Sequence, residues 1–510
     1  MAPSYDTPAD TRAPQTARGA RARPGPVAIV DIGSNSVRLV VYESFSRTAA
    51  VVHNEKAICG IGRHMVSSGR LNDEGIRLAL EALGRFRMLA DAHRAEQREA
   101  VATAAARDAP NGNEFVRRAE AAWGAPIRIL SGEEEAHIAA DGVIAGIPDA
   151  DGLAADLGGG SLDMVPVKNG KTGEPLTFPF GPLRLTDLSH GDADEARKLV
   201  DKGLDALDKL PSLKGRTLYA VGGAWRSFAR VDMEEVNYPL HVLHHYEISR
   251  ARALKLCKVV SQMSRKSLDK LKVISRRRAE ALPYGAIVLE RLLLATGLDR
   301  VVISAYGLRE GLLHVQLSPE ERAKDPLIDF AAELNKRISR TPAHALELFD
   351  WITPLCPSES AEHRRIRETV CLFSDIAWRR HPDDRALGSF SQVLTAPFAG
   401  ATHRARALIA TAIFHRYSGD EDFPRELAVH DLLSEEDSDL ALRLGLAVRL
   451  GFALSASAVG ELSHYRLRMT PTRVLLEVSR RREAIAGEPV QKRLGTLAQI
   501  LGRKGEILVG

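Results

Sequence analysis

The stretch AIVDIGSNSVRLVVYE, from Ala28 to Glu43, places an aspartate and a short polar turn between two apolar runs. The residues after the turn, Val37 and Leu39 to Tyr42, are β-branched or apolar, so the turn joins two strands. In Rossmann and P-loop sites the glycine-rich loop instead opens a helix, whose N-terminal N–H groups face the phosphate. Taken alone, a polar turn between strands is most often an ordinary β-hairpin.

A second stretch, LAADLGGGSLDMVPVKNG at residues 153–170, repeats the same pattern. Asp31 and Asp156 are 125 positions apart, and each precedes a Gly-containing turn. Glycine lets backbone N–H groups approach phosphate oxygens, and an aspartate at a strand end can hold Mg²⁺ directly or through water. Two such turns facing each other would form a cleft that binds phosphate from both sides.

The composition is that of a globular chain too long for a single core. With 510 residues, two to four domains are expected. A net charge of +4 argues against a nucleic-acid binder. The four cysteines form no CxxC pair, which argues against zinc or a disulfide framework and favours a reducing compartment. No apolar run reaches the roughly 20 residues of a membrane span.

The elements change in kind along the chain. From Val27 to about Met164, strand-like runs alternate with helix-like runs, which predicts an α/β fold. Residues 325–460 show helical periodicity, and RVLLEVSRR at 473–481 predicts a short late strand. The first 26 residues are rich in Pro, Ala and Arg and lack a signal-peptide apolar region, so we expect a disordered tail.

The loops DIGSNS and DLGGGS resemble the two phosphate loops of the actin/sugar-kinase/Hsp70 superfamily. Within it, the chain resembles the exopolyphosphatase / guanosine pentaphosphate phosphohydrolase family. Five further motifs match that family in order: ATAAARDAPNGNEF (102–115), ILSGEEEAHIAADGV (129–143), LYAVGGAWRSFARV (218–231), RRRAEALPYGAIVLERLL (276–293) and VVISAYGLREGLL (301–313). The strong match covers about residues 27–315.

The resemblance implies two actin-like (ribonuclease H-like) α/β domains around a cleft. A mostly helical, HD-like C-terminal domain and a small α+β tail would follow. The expected ranges are a disordered tail at 1–26, the two α/β domains at 27–138 and 139–318, the helical domain at 325–463 and the final piece at 464–510.

The resemblance also assigns roles to the two loops. Asp31 and Asp156 are candidate ligands of Mg²⁺ or another divalent cation. Asp163 is a third candidate, although the family often carries glutamate at that position. The expected phosphate-binding donors are Gly33, Ser34, Asn35 and Ser36 of the first loop and Gly158, Gly159, Gly160 and Ser161 of the second.

Two further residues match catalytic positions of the family. Glu135, in SGEEEAH, matches the base that orients and deprotonates water for attack on phosphorus. Its neighbours Ser131 and Glu134 fit a capping box at a helix start. Arg107 matches an arginine that faces the phosphate, because a guanidinium suits bidentate recognition of phosphate oxygens. The structural alternative for Arg107 is a surface ion pair with Asp108.

Basic segments outside the loops could extend the site. Lys56 and Arg63 could extend a basic channel. The basic run SRKSLDKLKVISRRRAE at 264–280 is typical of a solvated helix face, but it would also attract a chain of phosphates.

In GGAWRSFAR (222–230), the nucleoside-binding region of the superfamily, Trp225 is bulkier than the small residues often found there. That difference favours inorganic polyphosphate over pppGpp.

The helical half lacks one element of a working HD site. In LFSDIAWRRHPDDR, Ser374 and Asp375 stand where the His-Asp dipeptide would be. We therefore expect no second catalytic metal centre, although four histidines lie nearby in sequence: His363, His381, His403 and His415.

Together these features and the family resemblance predict a cytoplasmic, bacterial, Mg²⁺-dependent exopolyphosphatase that releases orthophosphate from inorganic polyphosphate and acts processively. A homodimer is expected by resemblance only, with neither membrane nor specific nucleic acid as partner. The nearest alternative is a pppGpp 5′-phosphohydrolase of the stringent response, or both activities in one chain. A phosphotransferase between polyphosphate and a nucleotide and a non-catalytic polyphosphate or alarmone sensor are other classes. The presence of Glu135 and Arg107 argues against the sensor.

Overall fold

The computed structural model describes residues 25–205, 207, 212–420, 423 and 427–510. The predicted tail at 1–26 therefore lies outside the described residues, except for its last two positions. Three sheets organise the described chain, with five, seven and three strands.

The first sheet combines an antiparallel meander with two parallel strands. Its strands are β1 (Val27–Ile32), β2 (Ser36–Tyr42), β3 (Val51–Ile58), β4 (Gln97–Ala102) and β5 (Arg128–Ile129). They lie in the order β3-β2-β1-β4-β5, with β2 antiparallel and β4 parallel to β1. The helices of this part are α1 (Met65–Ser68), α2 (Asp73–Ala92), α3 (Ala104–Asp108), α4 (Gly112–Trp123) and α5 (Gly132–Gly146).

Helix α2 shows how the local sequence makes these elements. Asn72 precedes the helix, and its side chain accepts a hydrogen bond from the Gly75 N–H over 2.8 Å. Ile76, Leu83 and Phe86 recur at helical spacing and are buried in the core of the first sheet. Burying each such side chain stabilises the fold by roughly 2 kcal/mol.

The second sheet repeats the topology of the first. Its strands are β6 (Gly152–Leu157), β7 (Leu162–Lys168), β8 (Lys171–Thr172), β9 (Leu176–Phe178), β10 (Thr217–Val221), β11 (Glu247–Ser249) and β12 (Arg300–Ile303). The order is β11-β12-β10-β6-β7-β8, and β9 also pairs with β7. As in the first sheet, the first strand has an antiparallel partner on one side and parallel strands on the other. The duplicated sequence pattern thus corresponds to a duplicated sheet.

Eight helices accompany the described part of the second sheet, and the last of them links the two sheets together with α5. The eight are α6 (Pro182–Leu188), α7 (Ala193–Leu204), α8 (Gly223–Glu235), α9 (Arg250–Ser261), α10 (Arg265–Leu268), α11 (Arg276–Ala279), α12 (Leu282–Thr296) and α13 (Leu308–His314). Helix α5 packs through Ala140 and Val143 on the second sheet, whereas α13 packs through Leu308 and Leu312 on β1 of the first. The expected boundary between residues 138 and 139 falls inside α5.

The remainder of the chain is mostly helical and ends in a small sheet. Its helices are α14 (Pro319–Arg322), α15 (Pro326–Ile338), α16 (His344–Ile352), α17 (Ala361–Phe373), α18 (Arg385–Thr395), α19 (His403–Ser418), α20 (Glu435–Ser455) and α21 (Glu488–Ile500). The strands β13 (Tyr465–Met469), β14 (Arg473–Val478) and β15 (Lys504–Val509) form the third sheet. The predicted late strand is therefore β14. Helices and sheet share one apolar core.

In the segment that stands at the position of the HD motif, the side chains of Ser374 and Asp375 form hydrogen bonds with neighbouring protein groups. Asp375 accepts hydrogen bonds from the Arg340 guanidinium at 3.0 and 2.7 Å, and the Ser374 hydroxyl donates to the Cys371 carbonyl over 2.7 Å. His403 bonds to the Tyr238 hydroxyl over 2.9 Å instead of facing Asp375. Among the described residues, no helix is long and apolar enough to cross a bilayer.

Candidate active site

The two turns close in the same way. The Gly33 N–H donates to the Ser36 carbonyl over 3.0 Å, and the Gly158 N–H donates to the Ser161 carbonyl over 3.0 Å. In the described chain, the backbone N–H groups between these bonds have no protein acceptor: those of Ser34, Asn35, Gly159 and Gly160. Each turn can therefore offer adjacent N–H donors to an anion, as sequence analysis predicts.

The two turns touch each other. A Cβ atom placed on Gly159 would lie 3.3 Å from the Ser34 Cβ, and one on Gly160 would lie 3.0 Å from the Ser34 hydroxyl oxygen. The side-chain oxygen of Asn35 is buried beside this contact and has no hydrogen-bond partner among the described residues. A buried amide oxygen without a partner is costly unless a ligand or water supplies one.

Three carboxylates gather beside the second turn: Glu135, Asp156 and Asp163. Burial, followed by the charge of Asp163, raises the pKa of Asp156 to about 7. Burial likewise raises the pKa of Asp163 to about 6, against hydrogen bonds that favour its ionised form. The Ser161 hydroxyl donates to Asp163 Oδ2 over 2.7 Å, while Asp163 Oδ1 is buried and has no partner in the described structure. Ionising all three carboxylates would therefore place more negative charge here than the nearby protein groups neutralise.

Asp31 has a different environment from Asp156. Its Oδ2 accepts a hydrogen bond from Arg309 Nη1 over 2.8 Å. No three Asp, Glu, His or Cys side chains of the described residues are arranged to hold one metal ion. Asp31, Asp156 and Asp163 are thus not assembled as a three-carboxylate centre; Asp156 and Asp163 are the pair with unsatisfied charge.

Glu135 lies in the first turn of α5, where the local sequence sets its orientation. The predicted capping box is confirmed, because the Ser131 hydroxyl accepts from the Glu134 N–H over 3.1 Å and Glu134 accepts from the Ser131 N–H over 2.8 Å. Glu134 therefore faces outward at the cap, and Glu135 is buried. Burial, then the charges of Asp163 and Asp156, raises the pKa of Glu135 well above its ordinary value.

Arg107 makes the ion pair with Asp108 that sequence analysis gives as the structural alternative, and it also contacts Glu135. Its Nη1 donates to Glu135 Oε2 over 3.2 Å and to the Leu130 carbonyl over 3.0 Å. Its Nε donates to Asp108 Oδ1 over 3.2 Å. The ion pair with Asp108 and the approach to Glu135 therefore coexist, and the guanidinium is held on three sides.

A cluster of cations adjoins the turns, and we call it the basic cluster. Its members are Arg38, Lys56, Arg226, Arg230, Arg278 and Arg309. Strand register brings Asp31, Arg38 and Lys56 side by side across β1, β2 and β3. Burial, then the charge of Arg278, lowers the pKa of Lys56 to about 8. Burial is the main cause of the lowered pKa values in the cluster, and repulsion between its cations adds to it; the pKa of Arg309 is instead raised, because Glu310 and Asp31 favour its charged form.

Sequence reasoning found only part of the basic cluster. It singled out Lys56 and the run that contains Arg278, and it did not identify the other four members as cluster residues: Arg38, Arg226, Arg230 and Arg309. The position of Arg38 could have been predicted from the sequence. The tight turn over residues 33–36 fixes the register of the hairpin, and that register pairs Arg38 with Asp31. The other three come from helices distant in sequence, Arg226 and Arg230 from α8 and Arg309 from α13.

Trp225 does not face the cleft. Its side chain is fully buried, and its indole N–H donates to the Gly285 carbonyl over 2.9 Å. The bulk of Trp225 therefore fills the core between α8 and α12, and its size is no guide to what the cleft accepts. Arg226, the next residue, is the one beside Asp156 and Arg309.

The duplicated sheets with touching turns place the chain among proteins with an actin-like fold. The chain belongs to the Ppx/GppA phosphatase family, whose model matches residues 40–320. A second model, described as the C-terminal part of exopolyphosphatase, matches residues 327–508. The family membership and fold class expected from the motifs are both confirmed.

Individual relatives agree with this placement. Exopolyphosphatase 2 of Mycobacterium tuberculosis is 28% identical over 309 residues, which cover 56% of this chain and 97% of the relative. Retrograde regulation protein 2 of Saccharomyces cerevisiae is 25% identical over 465 residues, covering 82% of this chain and 77% of the relative. The crystal structure of an exopolyphosphatase from Cytophaga hutchinsonii covers 57% of this chain and 97% of its own, with a TM-score of 0.52 at 22% identity. This last likeness supports the fold.

Proposed function

We propose that the chain is an exopolyphosphatase, which hydrolyses the terminal phosphoanhydride bond of inorganic polyphosphate and releases orthophosphate. The observation that carries the proposal is the position of Glu135. This buried carboxylate is held by Arg107 beside two anion-binding turns. Relatives named exopolyphosphatase in other organisms support the same activity.

The basic cluster supports a polyanionic substrate. Burial and mutual repulsion disfavour the charged forms of Arg38, Lys56 and Arg226. A chain of phosphates lying along them would supply the missing negative charge, so its binding would restore the proton affinity of Lys56.

A divalent cation, with Mg²⁺ as the first choice, fits the carboxylates beside the second turn. The fit rests on the unpartnered Asp163 Oδ1 and on the uncompensated charge next to Asp156. Mg²⁺ in phosphoryl-transfer sites is commonly held by one or two carboxylates together with substrate phosphates. We assign Asp156 and Asp163 as its direct holders, and Asp31 as a residue that acts through Arg309. When bound, the cation would neutralise charge on the terminal phosphates.

The protein groups supply the remaining parts of the reaction. The free N–H groups of Ser34, Asn35, Gly159 and Gly160 would donate to oxygens of the terminal phosphates. Glu135 would accept a proton from the attacking water, and burial keeps this carboxylate basic enough to do so. Arg107 would orient Glu135 and stabilise charge on the transferred phosphoryl group. Orthophosphate and the shortened chain are the products.

The pppGpp 5′-phosphohydrolase remains the alternative within the same chemistry. The turns, Glu135 and Arg107 would treat its terminal phosphoanhydride as they treat that of polyphosphate. The argument from Trp225 against a nucleoside has no structural basis, because that side chain lies in the core. The predicted homodimer, the cytoplasmic location, processive action and the domain boundaries are likewise kept as proposals.

The test compares the two substrates on one preparation. Orthophosphate release would be followed with Mg²⁺ on long-chain polyphosphate and on pppGpp, at matched concentrations of terminal phosphate. We expect a larger kcat/KM on polyphosphate. A larger kcat/KM on pppGpp would instead favour the pppGpp 5′-phosphohydrolase as the function of the chain. ADP-dependent formation of ATP from polyphosphate would reveal a phosphotransferase instead.

A further inference from the structure

Asp108 joins two arginines from different parts of the fold. Its Oδ1 accepts from Arg107 Nε over 3.2 Å, and its Oδ2 accepts from Arg184 Nη1 over 3.0 Å. Arg107 and Asp108 end α3, which follows β4 of the first sheet, whereas Arg184 lies in α6, which follows β9 of the second sheet. The Asp108–Arg184 pair therefore spans the two duplicated halves.

Helix α6 is fixed directly to the second phosphate turn. The Leu183 N–H donates to the Gly159 carbonyl over 3.1 Å. At Gly181, a Cβ atom would lie only 2.3 Å from the Gly160 backbone nitrogen, so the close approach of α6 to the turn requires glycine there. The backbone that carries Arg184 is thus joined to the turn by a hydrogen bond and by close packing.

Arg184 borders the contact between the two turns. A recess at this contact is lined by Ser34 of the first turn, Gly159 and Gly160 of the second, and Leu183 and Arg184 of α6. Asp108 is the acceptor for the Arg184 guanidinium in the described structure, and Arg184 Nε is buried without a partner. Among the described residues, Asp108 is thus the hydrogen-bond acceptor that holds the Arg184 side chain in place.

Asp108 is one of the three acceptors that fix the orientation of Arg107, together with Glu135 and the Leu130 carbonyl. Arg107 reaches Glu135 through Nη1, and Asp108 holds the opposite side of the same guanidinium at Nε. If α6 and the second turn moved away from the first turn, Asp108 would lose Arg184 and become free to turn with its other partner. Contact between the turns is thereby linked to the alignment of Arg107 with Glu135.

We propose that Arg184 is a positioning residue that acts through Asp108 to hold Arg107 against Glu135 when the two phosphate turns are in contact. The proposal rests on the proposed function and extends it to a residue outside the loops and the base. Arg184 itself touches neither Glu135 nor Arg107. Its effect should therefore appear in the rate of the chemical step rather than in substrate binding.

The experiment measures kcat and KM for orthophosphate release by Arg184→Gln, Asp108→Asn and the double variant. We expect each single variant to lower kcat on the order of 10–100-fold, because small displacements of a catalytic group have effects of that size, with KM changed less than about twofold. The double variant should be no slower than the slower single variant, since both break one connection. Arg184→Lys should recover part of the kcat.

A matched control is Arg128→Gln, which removes an exposed arginine–carboxylate pair with Glu134 whose length, 3.2 Å, is close to the 3.0 Å of the Arg184–Asp108 pair. It should leave kcat and KM unchanged. Thermal midpoints of all variants would be compared first, and Asp108→Asn carries the test if Arg184→Gln does not fold.

Several outcomes would overturn the inference. Unchanged kcat in Arg184→Gln would remove the positioning role. A raised KM with unchanged kcat would make Arg184 a direct phosphate ligand, and multiplicative losses in the double variant would make the two residues independent. If the wild-type chain releases no orthophosphate, the proposed function falls together with the positioning role. An active wild type with an unaffected Arg184→Gln variant defeats the positioning role alone.

Discussion

Arg309 Nη1 donates a hydrogen bond to Asp31 Oδ2 over 2.8 Å, across 278 positions of sequence. Arg309 lies on α13, which leaves the second sheet and packs on β1 of the first. The two side chains are 12% and 19% exposed, so water screens their attraction only in part. This ion pair therefore ties the end of the α/β region to the strand that begins it, directly under the first phosphate turn.

We expect Arg309→Gln to lower the free energy of unfolding by roughly 1–3 kcal/mol, because it leaves the Asp31 carboxylate partly buried without its partner. Relief of repulsion with Arg38 and Arg226 keeps the loss below that of an isolated buried pair. Urea unfolding at neutral pH measures the change. The matched control is Arg300→Gln, which breaks an exposed 3.3 Å pair with Glu247 and should cost less than about 1 kcal/mol. Equal losses in the two variants would contradict the structural role of the pair.

Asp156 should destabilise the chain at neutral pH when no divalent cation is present. Its ordinary pKa of 3.8 is raised to about 7 in the fold, chiefly by burial. As pH rises from about 4 to 7, the unfolded chain ionises this group while the folded chain keeps it protonated, so stability falls across that window. Asp156→Asn removes the cost, and we expect it to stabilise the chain on the order of 2–4 kcal/mol at pH 8.

Unfolding in a chelator at pH 4 and pH 8 tests this expectation. The gain from Asp156→Asn should be present at pH 8 and nearly absent at pH 4. The same variant should lose orthophosphate release, because Asp156 is a proposed cation ligand. A variant that is destabilised at pH 8 would show that Asp156 makes a favourable contact in its ionised state, against the electrostatics described above.

The dependence of activity on Mg²⁺ concentration can distinguish a direct cation ligand from a residue that acts through Arg309. Asp163 has a buried, unpartnered oxygen, whereas Asp31 already bonds to Arg309. We therefore expect Asp163→Asn to raise the Mg²⁺ concentration for half-maximal activity tenfold or more, on the scale of lost metal-site contacts. Asp31→Asn should raise it less. The reverse order would restore Asp31 as a direct ligand.

The basic cluster makes a prediction about chain length. Lys56→Gln should raise KM for long-chain polyphosphate several-fold and weaken its dependence on salt, because a cation on the path of the chain is lost. It should change KM for a short oligophosphate less. Lys198→Gln, which removes an exposed cation paired with Glu195, is the control and should change neither. If Lys56→Gln changed KM equally for long-chain polyphosphate and for the short oligophosphate, Lys56 would not lie along the bound polyphosphate chain.

The parts of the site that are local in sequence were predictable. The two turns could be identified because aspartate, glycine and the following apolar strand lie within a few positions, and because the pattern occurs twice. The capping box that orients Glu135 is likewise contained in four residues, from Ser131 to Glu134. Such features depend on backbone geometry that neighbouring residues determine.

The parts that depend on tertiary packing were not predictable in the same way. Arg309 reaches Asp31 only because α13 crosses back to the first sheet, and no local pattern encodes that crossing. The sequence showed that a bulky tryptophan occupies position 225, but it did not show that this side chain lies on the buried face of α8. The boundary expected at residue 138 falls within α5 because one continuous helix serves both halves: Glu135 at its start faces the site, and Val143 near its end packs on the second sheet.

The most direct test of the account is orthophosphate release from long-chain polyphosphate with Mg²⁺ by the wild-type chain and by Glu135→Gln. The substitution keeps the shape of the side chain and its contact with Arg107 but removes the base. We expect kcat to fall by a factor on the order of 10²–10⁴, with KM nearly unchanged. Release by Glu135→Gln at the wild-type rate would contradict the account, because the water would then be activated by another group.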